Sequence, residues 1–146
     1  MRWELKTQID VDAPASLAWT VLSDFAAYPE WNPFILAVDG RAAVGPMRYR
    51  FQFPAHGPRI WTNAVILQAD PDRELRWAAH FLSPRVFNGD HHCIISPSSD
   101  ASFTFHHGEV FTGTTLPVML PILKRLGPRV YESLNVAFKA RVESLR

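Results

Sequence analysis

The feature that most constrains the fold is a change of hydrophobic period near residue 113. Before that point, six successive segments alternate or are rich in β-branched and aromatic residues, and turns such as "DPDR" (70–73) and "PSSD" (97–100) separate them. After it, apolar residues recur every three or four positions, which predicts a long amphipathic helix over 128–145. Consecutive strands joined by tight turns favour an antiparallel meander, and the helix can cover its concave face. The strand candidates are 34–40, 46–54, 59–70, 74–82, 86–96 and 101–113.

The N-terminal part adds one more strand and two short helices. Residues 3–14 alternate, so we predict a seventh strand there. Pro14 is suited to the start of a helix, whereas Pro29 and Pro33 restrict the next helix to a short turn. We therefore expect a single α+β domain over 1–146, with a seven-stranded sheet and a long C-terminal helix.

Composition excludes several classes of function. The 15 Lys and Arg residues are scattered among 14 Asp and Glu residues, which argues against nucleic-acid binding. A single cysteine, Cys93, excludes an internal disulfide, and no glycine-rich phosphate-binding motif is present. We predict no cofactor. The N-terminus has no signal-peptide pattern, and the longest apolar stretch, "LPVMLPIL" (116–123), is too short to span a bilayer. We expect a cytoplasmic monomer or homodimer without stable membrane insertion.

Several stretches resemble the START-like helix-grip superfamily (SRPBCC, Bet v 1-like), and particularly its small bacterial polyketide cyclase/dehydrase members. They are "IDVDAPASLAWTVLSDFAAYPEWNPFI" (9–35), "DPDRELRW" (70–77), "FNGDHH" (87–92), "GEVFTG" (108–113) and "LNVAFKARVES" (134–144). The resemblance implies a curved antiparallel sheet wrapped around the C-terminal helix, with an apolar cavity between them. It also implies that "DFAAYPEWNPF" (24–34) forms the short helices that close one end of the sheet.

Aromatic residues make up 12% of the chain, which suggests that they line an apolar cavity or fill a large apolar core. Aromatic residues of the short helices, the strands and the last helix are candidates for the cavity wall, and core packing is the alternative for each. Asn135 is the polar residue on the mostly apolar face of the last helix. The candidate ligand-binding residues are Phe25, Trp31, Phe34, Phe51, Trp61, Trp77, Phe105, Phe111, Tyr131, Asn135 and Phe138.

Three polar residues are candidates for chemistry. His107 and Glu109 alternate with phenylalanines in the strand 101–113, so they should share its buried face. If the "PSSD" turn joins the last two strands, His91 lies opposite His107, and Gly89 lies opposite Glu109. We therefore name His107, Glu109 and His91 as candidate catalytic residues.

Three interpretations of this trio stay open at the level of sequence. The residues could form a hydrogen-bonded polar cluster that fixes the strands. They could orient a ligand or act as an acid and a base, since burial and neighbouring charge tune their pKa values. They could also hold a metal through two histidines and a carboxylate, although the resemblance does not support this, and we predict no metal. Cys93 is most simply a small buried hydrophobic residue.

The leading functional hypothesis is binding of a hydrophobic small molecule, such as a lipid, an aromatic compound or a polyketide. The alternative is a cyclase or dehydratase that uses the cavity His and Glu residues as acid and base. A third hypothesis, an accessory domain that binds a membrane surface or a partner, rests on "LPVMLPIL" (116–123) as an exposed flap at the cavity mouth.

Overall fold

The computed structural model describes residues 1–146 and contains one seven-stranded antiparallel sheet. The sheet order is β1-β7-β6-β5-β4-β3-β2, and three helices and a 3-10 turn complete the chain. The elements are β1 (Arg2–Val11), α1 (Ala15–Ser23), the 3-10 turn (Phe25–Ala27), α2 (Tyr28–Trp31), β2 (Ile35–Asp39), β3 (Gly45–Gln52), β4 (Arg59–Asp70), β5 (Glu74–Phe81), β6 (Phe87–Ser99), β7 (Ser102–Thr112) and α3 (Leu116–Glu143). The predicted helix-grip architecture is confirmed.

Irregular pairing curves the sheet around α3. The register shifts within β2–β3, β4–β5 and β6–β7, and such bulges bend a strand and increase its twist. The resulting concave face packs on the apolar stripe of α3, where Leu134, Phe138 and Val142 are buried in the main core. Nearer the N-terminal end of α3, Leu123 and Tyr131 belong to a second, smaller core cluster with Leu5 and Phe111.

The segment "DFAAYPEWNPF" forms the 3-10 turn and α2, and then leads into β2. The Tyr28 hydroxyl donates to Leu22 O at 2.6 Å, which ties α2 back to α1. Asn32 Oδ1 accepts from the backbone N–H groups of Phe34 and Ile35 at 2.9 and 2.8 Å, and so fixes the entry into β2. Pro29 lies in the first turn of α2 and Pro33 comes just after its end, so the helix stays short, as predicted from the sequence.

The helix α3 begins 12 residues earlier than the predicted helix over 128–145, because "LPVMLPIL" is helical. Leu116 and Leu123 are buried and continue the apolar stripe toward the N-terminus, which offsets the loss of two backbone hydrogen bonds at Pro121 and Pro128. At Gly127 the helix approaches β1 closely, since a Cβ there would lie 3.3 Å from Leu5 Cδ2. Gly127 is therefore a point of close packing within a continuous helix.

The register of β6 and β7 differs from the predicted one. β6 continues through Pro97 to Ser99, so the turn lies at Asp100–Ala101 and not over 97–100. His91 consequently pairs with Glu109, whereas the prediction paired it with His107, and Gly89 pairs with Phe111. Because the displacement along β7 is two residues, every side chain keeps its predicted face.

Candidate functional site

A cavity of about 360 Å³ lies between the concave face of the sheet and the N-terminal half of α3. Its wall is mostly apolar, since 14 of its 20 lining residues are hydrophobic, and it is open at one end. The lining residues are Phe34, Tyr49, Phe51, Phe53, Ile60, Trp61, Thr62, Ala79, His80, Phe81, Phe87, Gly89, His91, Glu109, Phe111, Met119, Ile122, Leu123, Gly127 and Tyr131. Apolar walls with a few polar groups are typical of small-molecule sites, and this volume is at the small end of their range.

Seven of the predicted site residues line this cavity. They are Phe34, Phe51, Trp61, Phe111, Tyr131, His91 and Glu109. Tyr131 projects from α3 toward the sheet, and its ring stacks on His107 with 4.5 Å between the ring centroids. Phe34 and Phe51 contact each other on the side of the cavity nearest β2 and β3. The sheet and α3 therefore contribute aromatic groups from opposite sides.

The other seven predicted residues lie in the interior, off the cavity wall. Phe138 stacks on Phe105 with 4.1 Å between the ring centroids, and Trp31 packs on the same ring from α2, so this part of the interior is filled. These residues pack in the interior and not on the wall of this cavity, because α3 packs directly on the sheet along its C-terminal half. The residues are Phe25, Trp31, Trp77, Phe105, His107, Asn135 and Phe138.

Trp61 reaches the cavity only from its outer edge. Its neighbours Ala64 and Ile66 on β4 are buried, whereas 38% of Trp61 is exposed. The Arg48 guanidinium lies over its ring, 4.4 Å from the centroid, in a cation–π contact on the convex face. Trp61 therefore borders the cavity while its ring also contacts Arg48 on the convex face of the sheet.

Glu109 places a carboxyl group in the apolar cavity. Its Oε2 accepts a hydrogen bond from the Tyr131 hydroxyl across the gap between β7 and α3. Burial disfavours the charged form and, with a smaller contribution from Asp90, raises the pKa of Glu109 to about 8. At neutral pH the group is therefore mostly a carboxylic acid, which can donate as well as accept a hydrogen bond.

Space for this carboxyl group depends on Gly89. A Cβ at position 89 would overlap Glu109 Oε1, so any residue larger than glycine at this position would displace the Glu109 carboxyl group. The backbone of Gly89 is ordinary strand, and the glycine is needed here for its missing side chain and not for an unusual dihedral angle.

A hydrogen-bond chain fixes the tautomers of the two buried histidines. Asn135 Nδ2 donates to Thr7 Oγ1 at 2.8 Å, and the Thr7 hydroxyl in turn donates to His107 O at 2.6 Å. Asn135 Oδ1 therefore points at His107 Nδ1, 2.9 Å away, and must accept a hydrogen from it. The proton on Nδ1 leaves His107 Nε2 as an acceptor, and His91 Nε2, 2.6 Å away, supplies the donor.

This arrangement leaves one nitrogen of His91 free. With the proton on Nε2, Nδ1 carries a lone pair and has no hydrogen-bond partner in the protein. The completely enclosed side-chain atoms without partners are Arg50 Nε and Trp77 Nε1, so His91 Nδ1 is not sealed off, and His91 lines the cavity. Burial, together with the neighbouring histidines, lowers the pKa of His91 well below its ordinary value, so the imidazole is neutral. Burial likewise lowers the pKa of His107 to about 3.

The two histidines and Cys93 form the closest group of potential metal donors. One ligand atom from each of His91, Cys93 and His107 lies within 4.8 Å of the others. Glu109, which the sequence suggested as the third ligand, is not part of this group. An ion here would have to replace the hydrogen bond between the two imidazoles and the proton of Cys93, whose pKa is raised by burial.

Sequence reasoning missed several residues of the cavity wall. Met119, Ile122 and Leu123 come from the helical turns that were interpreted as a flap, and the apolar run "LPVMLPIL" was the available signal. Ala79 and Gly89 follow from alternation along β5 and β6, since they share the inward face with Trp77 and His91. Tyr49 is also on an inward face, that of β3.

Comparison with known proteins agrees with this architecture. The sequence profile of the family described as "Polyketide cyclase / dehydrase and lipid transport" matches residues 2–143. No curated protein sequence matches the chain significantly.

Solved structures with the same fold cover nearly the whole chain. A START superfamily protein from Mycobacterium smegmatis is 23% identical, with a TM-score of 0.77 over 98% of this chain and 99% of its own. The Zhui aromatase/cyclase from Streptomyces sp. R1128 is 17% identical, with a TM-score of 0.79 over 100% of this chain and 97% of its own. Norcoclaurine synthase from Thalictrum flavum, solved with dopamine and hydroxybenzaldehyde, is 14% identical, with a TM-score of 0.72 over 100% of this chain and 89% of its own.

No helix of the protein is both long and apolar enough to cross a bilayer. The profile match extends over β1 to α3, and the solved START superfamily and aromatase/cyclase structures share the fold. The chain therefore belongs to the polyketide cyclase/dehydrase and lipid transport family.

Proposed function

We propose that the protein binds a small aromatic or polyketide-like molecule that carries a hydroxyl or carbonyl group. The observation that carries this proposal is the position of Glu109, Tyr131 and His91 in an otherwise apolar cavity of about 360 Å³. The apolar wall supplies the affinity through burial, and the few polar groups fix the orientation of the ligand. An aromatase/cyclase and an enzyme solved with two aromatic compounds are among the proteins with this fold, which supports the ligand class.

The polar groups offer complementary hydrogen bonds to such a ligand. The protonated Glu109 carboxyl group can donate to a carbonyl or hydroxyl oxygen, and His91 Nδ1 can accept from a hydroxyl group. Both groups are neutral at pH 7, so a neutral ligand is favoured over a charged one. A ligand carboxylate would lie beside Glu109, and the two negative charges would repel each other whenever Glu109 is ionised, which weakens binding.

A matched pair of ligands tests the proposal. Titration with 2-naphthol and naphthalene, followed by intrinsic tryptophan fluorescence and native mass spectrometry, compares the same ring system with and without one hydroxyl group. We expect 2-naphthol to bind about fivefold more tightly or better, since a hydrogen bond in a dry site contributes about 1 kcal/mol or more. The preference should shrink in Glu109→Leu, which can neither donate nor accept a hydrogen bond, and in Tyr131→Phe, and it should persist in Asp10→Asn. Asp10 is the control because its carboxylate is exposed on β1, where it accepts a hydrogen bond from Thr104 Oγ1 at 2.8 Å, and it does not contribute to the raised pKa of Glu109. Equal affinities for both ligands, or no binding of either, would contradict the proposal.

A second candidate function is acid–base catalysis on the bound ligand. The observation that favours it is that a carboxylic acid and an unpartnered imidazole nitrogen line the same cavity. The acid could polarise a ketone oxygen while His91 Nδ1 takes a proton from the adjacent carbon. The lowered pKa makes His91 a weak base, however, and we therefore place ligand binding first.

Exchange of α-protons separates the two functions. In D₂O, catalysis would transfer a proton from the α-carbon of 2-tetralone to His91 and return a deuteron, which NMR detects directly. Catalysis predicts faster exchange with the wild-type protein than with buffer, and a loss of that excess in His91→Gln and Glu109→Gln. Binding alone predicts exchange at the buffer rate while 2-tetralone still saturates the cavity.

A further inference from the structure

The open end of the cavity is formed by three segments of the chain. These are the β3–β4 connection with the start of β4, the β5–β6 connection with the end of β5, and the β7–α3 connection with the first three turns of α3. They contribute Phe53, Phe81, Met119 and Ile122 to the wall. The backbone N–H and the hydroxyl of Thr115 both donate to Val86 O, at 3.1 and 2.7 Å. These bonds hold the β5–β6 connection against the start of α3. The three segments therefore form one surface around the mouth, which we call the mouth surface (53–60, 80–86 and 113–126).

Large apolar side chains project from the mouth surface. Leu82 and Val118 are the most exposed large hydrophobic residues of the chain, at 78% and 83%. Phe81, Ile60 and Ile122 are also exposed on this surface. Leu82 has a φ of 65°, a left-handed conformation that costs a residue with a Cβ some energy. Such a cluster of exposed apolar groups at one end of the molecule marks an interaction site.

The charges of the mouth surface are all positive. Its three segments contain Arg59, Arg85, Lys124 and Arg125, each exposed, and no aspartate or glutamate. The whole chain is nearly balanced, with a formal net charge of +1, so this bias does not come from overall composition.

The opposite end of the sheet has the reverse bias. Its three hairpin turns (39–45, 70–74 and 99–102) carry five acidic residues, and Arg41 and Arg73 are the two basic residues among them. The acidic residues are Asp39, Asp70, Asp72, Glu74 and Asp100. The end of the molecule at which the cavity opens is therefore positively charged, and the opposite end of the sheet is negatively charged.

We propose that the mouth surface docks on an anionic lipid bilayer. Leu82 and Val118 would enter the boundary between headgroups and acyl chains, and the four cations would contact anionic headgroups. Projecting apolar tips suit a soft lipid interface better than a rigid protein face, which would have to supply a pocket for each tip. The docked orientation points the cavity at the bilayer, so a ligand could pass between the two without crossing water. That last step rests on the proposed binding function, whereas docking does not.

Vesicle flotation tests the docking. We expect the protein to bind vesicles of phosphatidylcholine mixed with phosphatidylglycerol about tenfold or more tightly than vesicles of phosphatidylcholine alone, and to dissociate at high salt. The double variant Leu82→Asp/Val118→Asp should lose binding to both, and Lys124→Glu/Arg125→Glu should lose the preference for anionic vesicles. Matched controls at the opposite end are Val44→Asp, which is 71% exposed in the wild type, and Arg41→Glu; neither should change flotation.

Independent measurements identify the alternatives. None of Leu82, Val118, Lys124 and Arg125 lines the cavity, so these variants should bind 2-naphthol like the wild type, and circular dichroism should show them folded. Absence of flotation by the wild-type protein would overturn the proposal, as would equal losses in the Val44→Asp control. If flotation is absent and light scattering shows a dimer that Leu82→Asp/Val118→Asp dissociates, then the mouth surface is a contact between copies of this chain and the lipid proposal is wrong.

Discussion

Gly89 of β6 lies beside Glu109 of β7 so closely that a Cβ at position 89 would overlap the carboxylate oxygen Oε1. The glycine thus reserves the space in which Glu109 meets Tyr131. The acid of the cavity is therefore specified by two positions on neighbouring strands, one that supplies the carboxyl group and one that supplies the room for it.

The first prediction is that Gly89→Ala destabilises the protein by about 1 kcal/mol, because the new methyl group forces the end of the Glu109 side chain to move and weakens its hydrogen bond with Tyr131. It should also displace the Glu109 carboxyl group and reduce the preference for 2-naphthol over naphthalene. Urea denaturation gives the change in the free energy of unfolding, and the ligand titration gives the change in preference.

A double-mutant cycle identifies the cause of that loss. In a Glu109→Ala background the new methyl group has space, so Gly89→Ala should change the free energy of unfolding little. In a Glu109→Gln background the side chain at position 109 keeps its size, so Gly89→Ala should destabilise the protein as it does in the wild type. If Gly89→Ala costs the same in all three backgrounds, the overlap with Glu109 is not responsible.

The second prediction concerns pH. The pKa of Glu109 rises from an ordinary 4.5 to about 8 on folding, so the native state binds the additional proton and is stabilised at low pH. That stability should be lost as pH rises toward 8. Below pH 6.5 the lowered pKa values of His91 and His107 oppose this trend, because their stabilising contribution is present at high pH and is lost as pH falls.

The contribution of Glu109 can therefore be measured without that of the histidines between pH 6.5, the ordinary pKa of histidine, and pH 8, the raised pKa of Glu109. Here the free energy of unfolding of the wild type should fall by up to about 1.4 kcal/mol per pH unit. Glu109→Gln cannot titrate and should show a flatter profile over the same range. Parallel profiles for the two proteins would mean that Glu109 is ionised at neutral pH.

The sequence predicted the faces of the sheet better than its register. His107 and Glu109 were assigned to the inward face by alternation alone, and alternation does not depend on where the hairpin turns. The partner of His91 did depend on the turn, and "PSSD" gave a turn signal although the chain turns at Asp100–Ala101. The ends of strands are set by pairing with neighbours, which local composition does not contain.

The sequence also could not predict which inward-facing residues border the cavity and which are packed in the core. Phe105 and Phe111 have the same spacing and chemistry on β7, yet Phe105 stacks on Phe138 while Phe111 borders the cavity. The difference arises from the distance between α3 and the sheet, which is small toward the C-terminus of the helix. That distance results from the packing of many side chains at once, including Gly127 against Leu5.

The third prediction is that Asn135 sets the tautomers of the histidine pair. In the wild type, ¹H–¹⁵N spectra of the imidazoles should show His107 protonated at Nδ1 and His91 at Nε2, as the hydrogen-bond chain requires. Asn135→Ala removes the acceptor for His107 Nδ1 and should produce a mixture of tautomers at both rings. It should also cost about 1–3 kcal/mol of stability, because a buried donor loses its partner.

His106 provides the internal reference for these spectra. It neighbours His107 in the sequence but points to the other face of β7, so its signals should not change in Asn135→Ala. If His91 carries its proton at Nδ1 in the wild type, then its free nitrogen does not accept hydrogen bonds from a ligand, and the proposed role of His91 is wrong.

The fourth prediction compares the same substitution at two adjacent alanines, one that lines the cavity and one on the outer face of the sheet. Ala79 lines the cavity, whereas Ala78 lies next to it on the opposite face of β5. Ala79→Phe should place a ring in the cavity and weaken binding of 2-naphthol about tenfold or more. Because the added ring fills apolar space and does not overpack a dense core, the free energy of unfolding should stay within about 1 kcal/mol of the wild-type value. Ala78→Phe adds the same ring outside and should leave the affinity unchanged. Isothermal titration calorimetry measures both variants, and an equal loss of affinity in the two would place the binding site elsewhere than in this cavity.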